Sequence, residues 1–297
     1  MSNPIAAPTP ERVLQRLDWQ VIRRLDGLLQ GNYHSLFRGA GLDFADLREY
    51  QAGDDIRAID WNVTARMDAP YIRQYIEDRE ISAWFLLDLS PSMDFGPLQS
   101  QKRNVLIDLT ATFARLLTRH GNRVGALLTG TEAARAIPPR SGRMQVLRLL
   151  NDLIHQPHLT RAPLTDLTPL LTTARHTIKQ RSLIFVVSDF ISAPGWERPL
   201  KLLTQRHEVL AVRLWDPHER DLPDVGPIIL EDAETGEQLY VDTRDRRFRE
   251  RFRAAAERRE AALNTTFKQA GVDVLTLATD EDMVRAIVRF ATLQKKR

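Results

Sequence analysis

Five consecutive apolar residues, Leu183-Ile184-Phe185-Val186-Val187, run without a polar break and stop on Ser188-Asp189. A half-exposed strand alternates polar and apolar side chains. An unbroken run this short belongs instead to a strand covered on both faces, as in a parallel sheet flanked by helices. A second run, from Ile81 to Leu87, ends in the same manner on Asp88. Between and beyond these runs, strand-like and helix-like patterns alternate. Lys102 to His120 carries apolar residues at helical spacing and stops at Gly121, and Val124 to Leu128 with Ala133 to Ile137 suggests a hairpin. Helices are predicted at 142–155, 165–179, 196–206 and 280–294, and further strands at 208–214 and 272–277. The fold class expected is α/β, with a doubly wound, mostly parallel sheet.

Two regions fall outside this alternation. Before it, Thr9-Pro10 opens an amphipathic helix whose stripe is Leu14, Leu17, Val21, Leu25 and Leu28, with Gly31-Asn32 as its end. A charged block with interleaved aromatics then runs over 36–80, too rich in Phe, Tyr and Trp for a disordered tail. Within it Asp54-Asp55 suits the start of a short helix, Tyr71 to Tyr75 alternates like a strand, and Arg57 with Asp60 is the first candidate ion pair. The alternating charges Arg48, Glu49, Asp54, Asp55, Arg57, Asp60 and Arg66 suggest a structural network around Trp61, part of it exposed. The other irregular region, 216–270, reads as a hairpin around Glu234-Thr235-Gly236 followed by a long helix. The chain thus divides into an N-terminal block (1–80), an α/β core (81–215), an addition (216–270) and the last strand and helix of the core (271–297).

With 42 basic and 39 acidic residues the overall field is nearly balanced, so no global attraction to nucleic acid is implied. The basic stretch Arg244, Arg246, Arg247, Arg249, Arg251, Arg253, Arg258 and Arg259 is interleaved with Asp245, Glu250, Glu257 and Glu260. It reads first as a salt-bridged exposed helix and second as a phosphate-binding face. Zero cysteines exclude disulfides, thiolate metal sites and a cysteine nucleophile. No apolar window reaches a membrane span and no signal-peptide pattern opens the chain, so a cytoplasmic protein is expected.

In an open parallel sheet, ligands bind beyond the carboxyl ends of the strands. If the two apolar strands are neighbours, Asp88 and Asp189 face one crevice, with Ser90 and Ser92 beside them and a threonine loop, Leu164-Thr165-Asp166-Leu167-Thr168, within reach. A cluster of carboxylate and hydroxyl oxygens without nitrogen or sulfur suits a hard divalent cation such as magnesium. Taken alone, Ser90-Pro91-Ser92 also makes an ordinary turn with Asp88 as a cap.

The order D-x-S-x-S, threonine loop, strand ending in aspartate resembles the metal-ion-dependent adhesion site of the von Willebrand factor type A domain. The block from His34 to Arg66, with Arg48, Tyr50, Gly53, Asp54, Asp55, Arg57, Asp60 and Trp61, resembles the signature of the bacterial family called domain of unknown function 58. Asp216-Pro217, Leu222-Pro223 and Thr279-Asp280 extend the likeness. The resemblance implies a von Willebrand factor A-like fold and metal ligands at Asp88, Ser90, Ser92, Thr165 and Asp189, with Thr168 as the alternative threonine. It also implies a non-catalytic protein-interaction role beside a MoxR-type AAA+ ATPase and other von Willebrand factor A proteins. The enzymatic alternative is a magnesium-dependent phosphoryl-transfer hydrolase using Asp88 as nucleophile. Such enzymes place a second aspartate two residues on, where this chain has Ser90.

Overall fold

The computed structural model describes residues 9–25, 46–51, 54, 56, 59, 61–67, 69–74, 81–97, 101–129, 135–158 and 165–295. Its strands are β1 (Asp46–Glu49), β2 (Tyr71–Gln74), β3 (Ser82–Leu87), β4 (Arg123–Leu128), β5 (Arg135–Arg140), β6 (Leu183–Ser188), β7 (Glu208–Trp215), β8 (Pro227–Glu231), β9 (Gln238–Asp242) and β10 (Asp273–Ala278). Its main helices are α1 (Pro10–Leu17), α2 (Lys102–Arg119), α3 (Arg143–Ile154), α4 (Thr168–Thr177), α5 (Glu197–Thr204), α6 (Arg246–Ala270) and α7 (Met283–Lys295).

Six strands form one sheet in the order β10-β7-β6-β3-β4-β5, parallel except for β5 at one edge. The two apolar runs are its central strands, and every residue of β6 is buried. Alternate side chains feed two cores. Ala83, Phe85, Leu87, Phe185 and Val187 face α1, α2, α3 and α7, with the rings of Phe85 and Phe185 stacked 4.9 Å apart. Trp84, Leu86, Ile184 and Val186 face α4, α5 and the C-terminal end of α6 through Leu263, Phe267 and Ala270. The long helix of the 216–270 addition therefore covers one face of the sheet.

Connections leave β3 toward β4 on one side, whereas β6, β7 and β10 succeed one another on the other. The direction of winding reverses between β3 and β6, and the loops after these two strands diverge there. The parallel register sets Leu87 against Val187, and the Asp88 amide continues the ladder by donating to the Val187 carbonyl at 3.0 Å. Both aspartates are thus delivered to the switch point.

Thr9 caps α1 as expected, its hydroxyl accepting from the Arg12 amide at 3.4 Å. The helix then takes a π turn over Asp18–Ile22. The extra residue in that turn rotates the face presented by the next one, so that Ile22 is buried along with Val13, Leu14, Leu17 and Leu25, while Val21 is only partly covered. Leu28 and the end of the helix lie outside the described residues. In the charged block, β2 is the predicted strand; β1, whose DLRE sequence has no apolar alternation, pairs with it antiparallel.

At the far edge, β5 carries Pro138 and Pro139, which cannot extend a ladder outward. Its pairing with β4 slips between Val124 and Ala126. Gly125 sits in that slip, where an added Cβ would lie 2.8 Å from the Ile137 carbonyl oxygen and 2.9 Å from the Pro139 nitrogen. Both are backbone atoms that cannot swing aside. Gly125→Ala is expected to lower stability by about 1–3 kcal/mol, as for other overpacked sites, read as a lower urea midpoint. An unchanged midpoint would show that β5 can drift away from β4.

Candidate functional site at the strand switch point

Asp88 is fully buried. One carboxylate oxygen accepts the Ser90 amide at 3.0 Å and the other accepts the Ser188 hydroxyl at 2.6 Å. Burial first, and the nearby carboxylate of Asp189 second, push its acid up to about 6, while the hydrogen bonds from Ser188 and Ser90 pull the other way. Ser90 is buried and Ser92 half-buried, and their hydroxyls lie 3.1 Å apart. Ser90 precedes a 3-10 turn and Ser92 lies within it, and this bend sets their two hydroxyls side by side. Pro91 then opens a 3-10 turn over Pro91–Asp94 that directs the chain away.

Asp189 is held by an unusual backbone. Phe190 has φ of 56°, a left-handed conformation that a bulky residue adopts at a cost of about 1–2 kcal/mol. Its ring is buried against Trp196 at 5.4 Å and edge-on to Phe267 of α6 at 4.9 Å, which offsets that cost. The resulting turn lets the Phe190 amide donate to the Ser188 hydroxyl and the Ile191 amide to Asp189, both at 2.9 Å. Asp189's second oxygen accepts from the ammonium of Lys102 at 2.6 Å.

Lys102 is the feature that sequence reasoning passed over. Its side chain is completely buried at the first residue of α2, and its Nζ also donates to Glu219 at 2.5 Å. Burial alone draws its pKa down; the charges of Asp189 and Glu219 outweigh that and hold the ammonium above its ordinary value. A cation at a helix N-terminus opposes the helix dipole, and the two carboxylates offset that mismatch. Glu219 is fixed by a capping box in which the Asp216 amide donates to Glu219 and the His218 amide donates to Asp216. Asp216 also accepts the Thr279 hydroxyl at 2.6 Å, joining the ends of β7 and β10. Burial raises the Asp216 pKa, but the bonds from Thr279 and His218 prevail and leave it below the usual carboxylate range.

Thr165 lies in the loop before α4, tied to the loop after Asp189 by its carbonyl, which accepts from the Ser192 hydroxyl and the Ala193 amide. Its own amide and hydroxyl, however, both donate to Glu234 at the tip of the β8–β9 hairpin. Thr168 is the first residue of α4, its amide capped by Asp166 at 2.8 Å. The structure therefore brings Asp88, Ser90, Ser92 and Asp189 together and gives Thr165 a carboxylate neighbour. Among the described residues no three His, Cys, Asp or Glu side chains cluster as a metal site by themselves. A cation here would rest on two carboxylates and hydroxyls.

Residues 46–262 match the model of the family described as Protein of unknown function DUF58. The chain belongs to this family. The DUF58 span runs from β1 into α6 and takes in Asp88, Lys102, Thr165, Asp189, Glu219 and Glu234. Over 298 aligned residues the chain is 35% identical to uncharacterized proteins of Mycobacterium tuberculosis and Mycobacterium bovis, covering 100% of this chain and 93% of each relative. Solved structures that resemble it do so at low TM-scores. A conserved hypothetical protein BatB from Bacteroides thetaiotaomicron gives 0.46 at 14% identity, over 73% of this chain and 100% of that one. The SpRpn10 VWA domain gives 0.39 at 10% identity, over 70% and 93%.

Several residues of the DUF58 signature lie away from the crevice or outside the described residues. Arg48 is in β1 opposite Ile72, the Tyr50 amide donates to the Pro70 carbonyl at 2.8 Å, and Asp54 accepts the Gln51 amide at 2.8 Å in a turn. Arg66 is exposed. Gly53, Asp55, Arg57 and Asp60 fall outside the described residues, and with them the Arg57–Asp60 pair. Trp61, expected at the centre of a structural network, opens a single helical turn and is 70% exposed. With Asp55, Arg57 and Asp60 outside the described residues, the network expected around it is not described. The arginine stretch of α6 is laced with ion pairs: Arg246 with Glu250, Arg249 with Asp224, Arg253 with Asp221, and Glu257 and Glu260 with Arg220 and Arg213. No helix among the described residues is long and apolar enough to cross a membrane.

Proposed function

We propose that this protein is a non-catalytic interaction module whose strand-end crevice holds a hard divalent cation, magnesium in the cell, and docks a partner through it. The observation that carries this reading is the meeting of Asp88 and Asp189 at the switch point with the paired hydroxyls of Ser90 and Ser92. Lys102 is shared between Asp189 and Glu219, whereas Asp88 has no cationic partner among the described residues. A hard cation with most of its waters retained needs few protein oxygens, and Asp88, Ser90 and Ser92 provide that number. When bound, such a cation supplies an open coordination position for an acidic side chain of the partner. With a dissociation constant of about 1 mM at about 1 mM free magnesium, the gain in folding stability is only about 0.4 kcal/mol. The metal on this reading serves the partner and contributes little to the fold.

The hydrolase alternative is weaker on this geometry. The position two residues after Asp88, where such enzymes carry a second aspartate, is Ser90, and its hydroxyl is paired with that of Ser92. The partner we assign is a MoxR-type AAA+ ATPase, because the charged block resembles a family often found alongside such ATPases. The test is an affinity pull-down from source-cell extract with wild type and Asp88→Ala, in magnesium or in chelator. Recovery of an AAA+ ATPase that requires both the metal and Asp88 is expected. Recovery indifferent to both would contradict cation-mediated docking.

A further inference from the structure

The β8–β9 hairpin forms a two-stranded sheet of its own, joined to neither of the others. Ile229 and Tyr240, a cross-strand pair, are 62% and 71% exposed. At its base the Thr243 amide donates to the Gly226 carbonyl at 2.9 Å and the Val225 amide to the Thr243 hydroxyl at 3.0 Å. Its tip is a self-supported turn: Asp232 accepts the amides of Glu234 and Thr235 and the Thr235 hydroxyl, and Gly236 takes a φ of 71° to close it. This turn projects one carboxylate inward. Glu234 is buried, and its two oxygens accept the amide of Thr165, at 2.6 Å, and the Thr165 hydroxyl. Among the described residues no basic side chain pairs with it, and Thr165 is the residue seen to donate to this buried acid.

We infer that Thr165 is a receptor for a carboxylate, and that Glu234 fills it from within the chain in the place an acidic side chain of the partner takes. This rests on reading the crevice as a docking site. Two donors on one residue, aimed at the two oxygens of one carboxylate, form a seat specific for an acid. The seat is fastened to the loop that follows Asp189, since the Thr165 carbonyl accepts from Ser192 and Ala193. A partner must then displace the hairpin tip before it engages. An internal carboxylate competes at the high effective concentration of a tethered group, and the apparent affinity falls by the fraction of molecules in which the tip is lifted. The hairpin is a built-in competitor that sets a threshold for docking.

The probe is a fluorescent, head-to-tail cyclised peptide carrying residues 228–241 of this chain, titrated by anisotropy against the full-length protein. Binding to Glu234→Ala is expected to be at least tenfold tighter than to wild type. It should disappear when the peptide carries Gln in place of its own Glu234, and when Thr165→Val is added to Glu234→Ala. Hydrogen exchange provides the control for folding: Glu234→Ala should lose protection only in 227–242, with the strands of the large sheet unchanged. Equal binding to wild type and Glu234→Ala, or undiminished binding of the Gln peptide, would overturn the inference. Each titration is run in magnesium and in chelator. Peptide binding that persists in chelator keeps the Thr165 seat and contradicts the metal-mediated reading; binding lost in chelator supports both.

Discussion

Lys102→Met is expected to destabilise the protein by about 3–5 kcal/mol, the range found when one partner of a buried ion pair is removed. The methionine matches the aliphatic stem but leaves Asp189 and Glu219 facing each other without the ammonium that now touches both. Urea denaturation followed by far-UV circular dichroism measures the effect. Adding Asp189→Asn to Lys102→Met should recover part of the loss, because the second change removes one of the stranded charges. A single-variant cost below about 1 kcal/mol, the range of an exposed pair, would mean that water reaches the carboxylates and that Lys102 is no internal counter-ion.

The second large effect has the opposite sign. In chelator, Asp88→Asn is expected to be more stable than wild type at pH 7 to 8, by up to about 3 kcal/mol for a shift of about two pH units at 1.36 kcal/mol each. Proton linkage sets the direction. Asp88 ionises near 3.8 in the unfolded chain and near 6 in the fold. Between these values the folded state holds a proton that the unfolded state has released, so wild-type stability falls as pH rises through that window. Asparagine cannot ionise, and the advantage of the variant should grow from pH 4.5 to pH 7 and then level off. Denaturation midpoints of the two proteins across that range test it, their difference cancelling the titration of every other group. A variant equally destabilised at pH 4.5 and pH 8 would show that Asp88 is already neutralised by another group in the fold.

Much of this site was legible because the physics that placed it is local. The apolar runs of β3 and β6 could be read as doubly covered strands, their terminal aspartates followed from where the runs stop, and the pairing of the strands put the acids together. The helix after the Asp88 loop was equally visible, yet its opening lysine passed as an ordinary polar start. Spacing cannot reveal a cation whose partners lie 87 and 117 residues away. The contact of Glu234 with Thr165 left no trace, since an acid in a hairpin turn is commonplace and only the packing of the hairpin decides where it points. β1 escaped because Asp46-Leu47-Arg48-Glu49 lacks the alternation that marks a half-buried strand. The exposure of Trp61 was equally hidden, because aromatic residues among charges argue against a disordered tail but do not say which of them is covered.

If the oxygens at the switch point hold a divalent cation for docking, the metal-free protein must bind one directly. The most direct measurement is a titration of the purified, metal-free full-length chain with manganese, with electron paramagnetic resonance reporting the free ion. One site per chain is predicted, displaced by magnesium, absent in Asp88→Asn and retained in Gly125→Ala, whose substitution lies in β4 away from the crevice. Failure to bind manganese at millimolar concentration, or binding unchanged by Asp88→Asn, would contradict it.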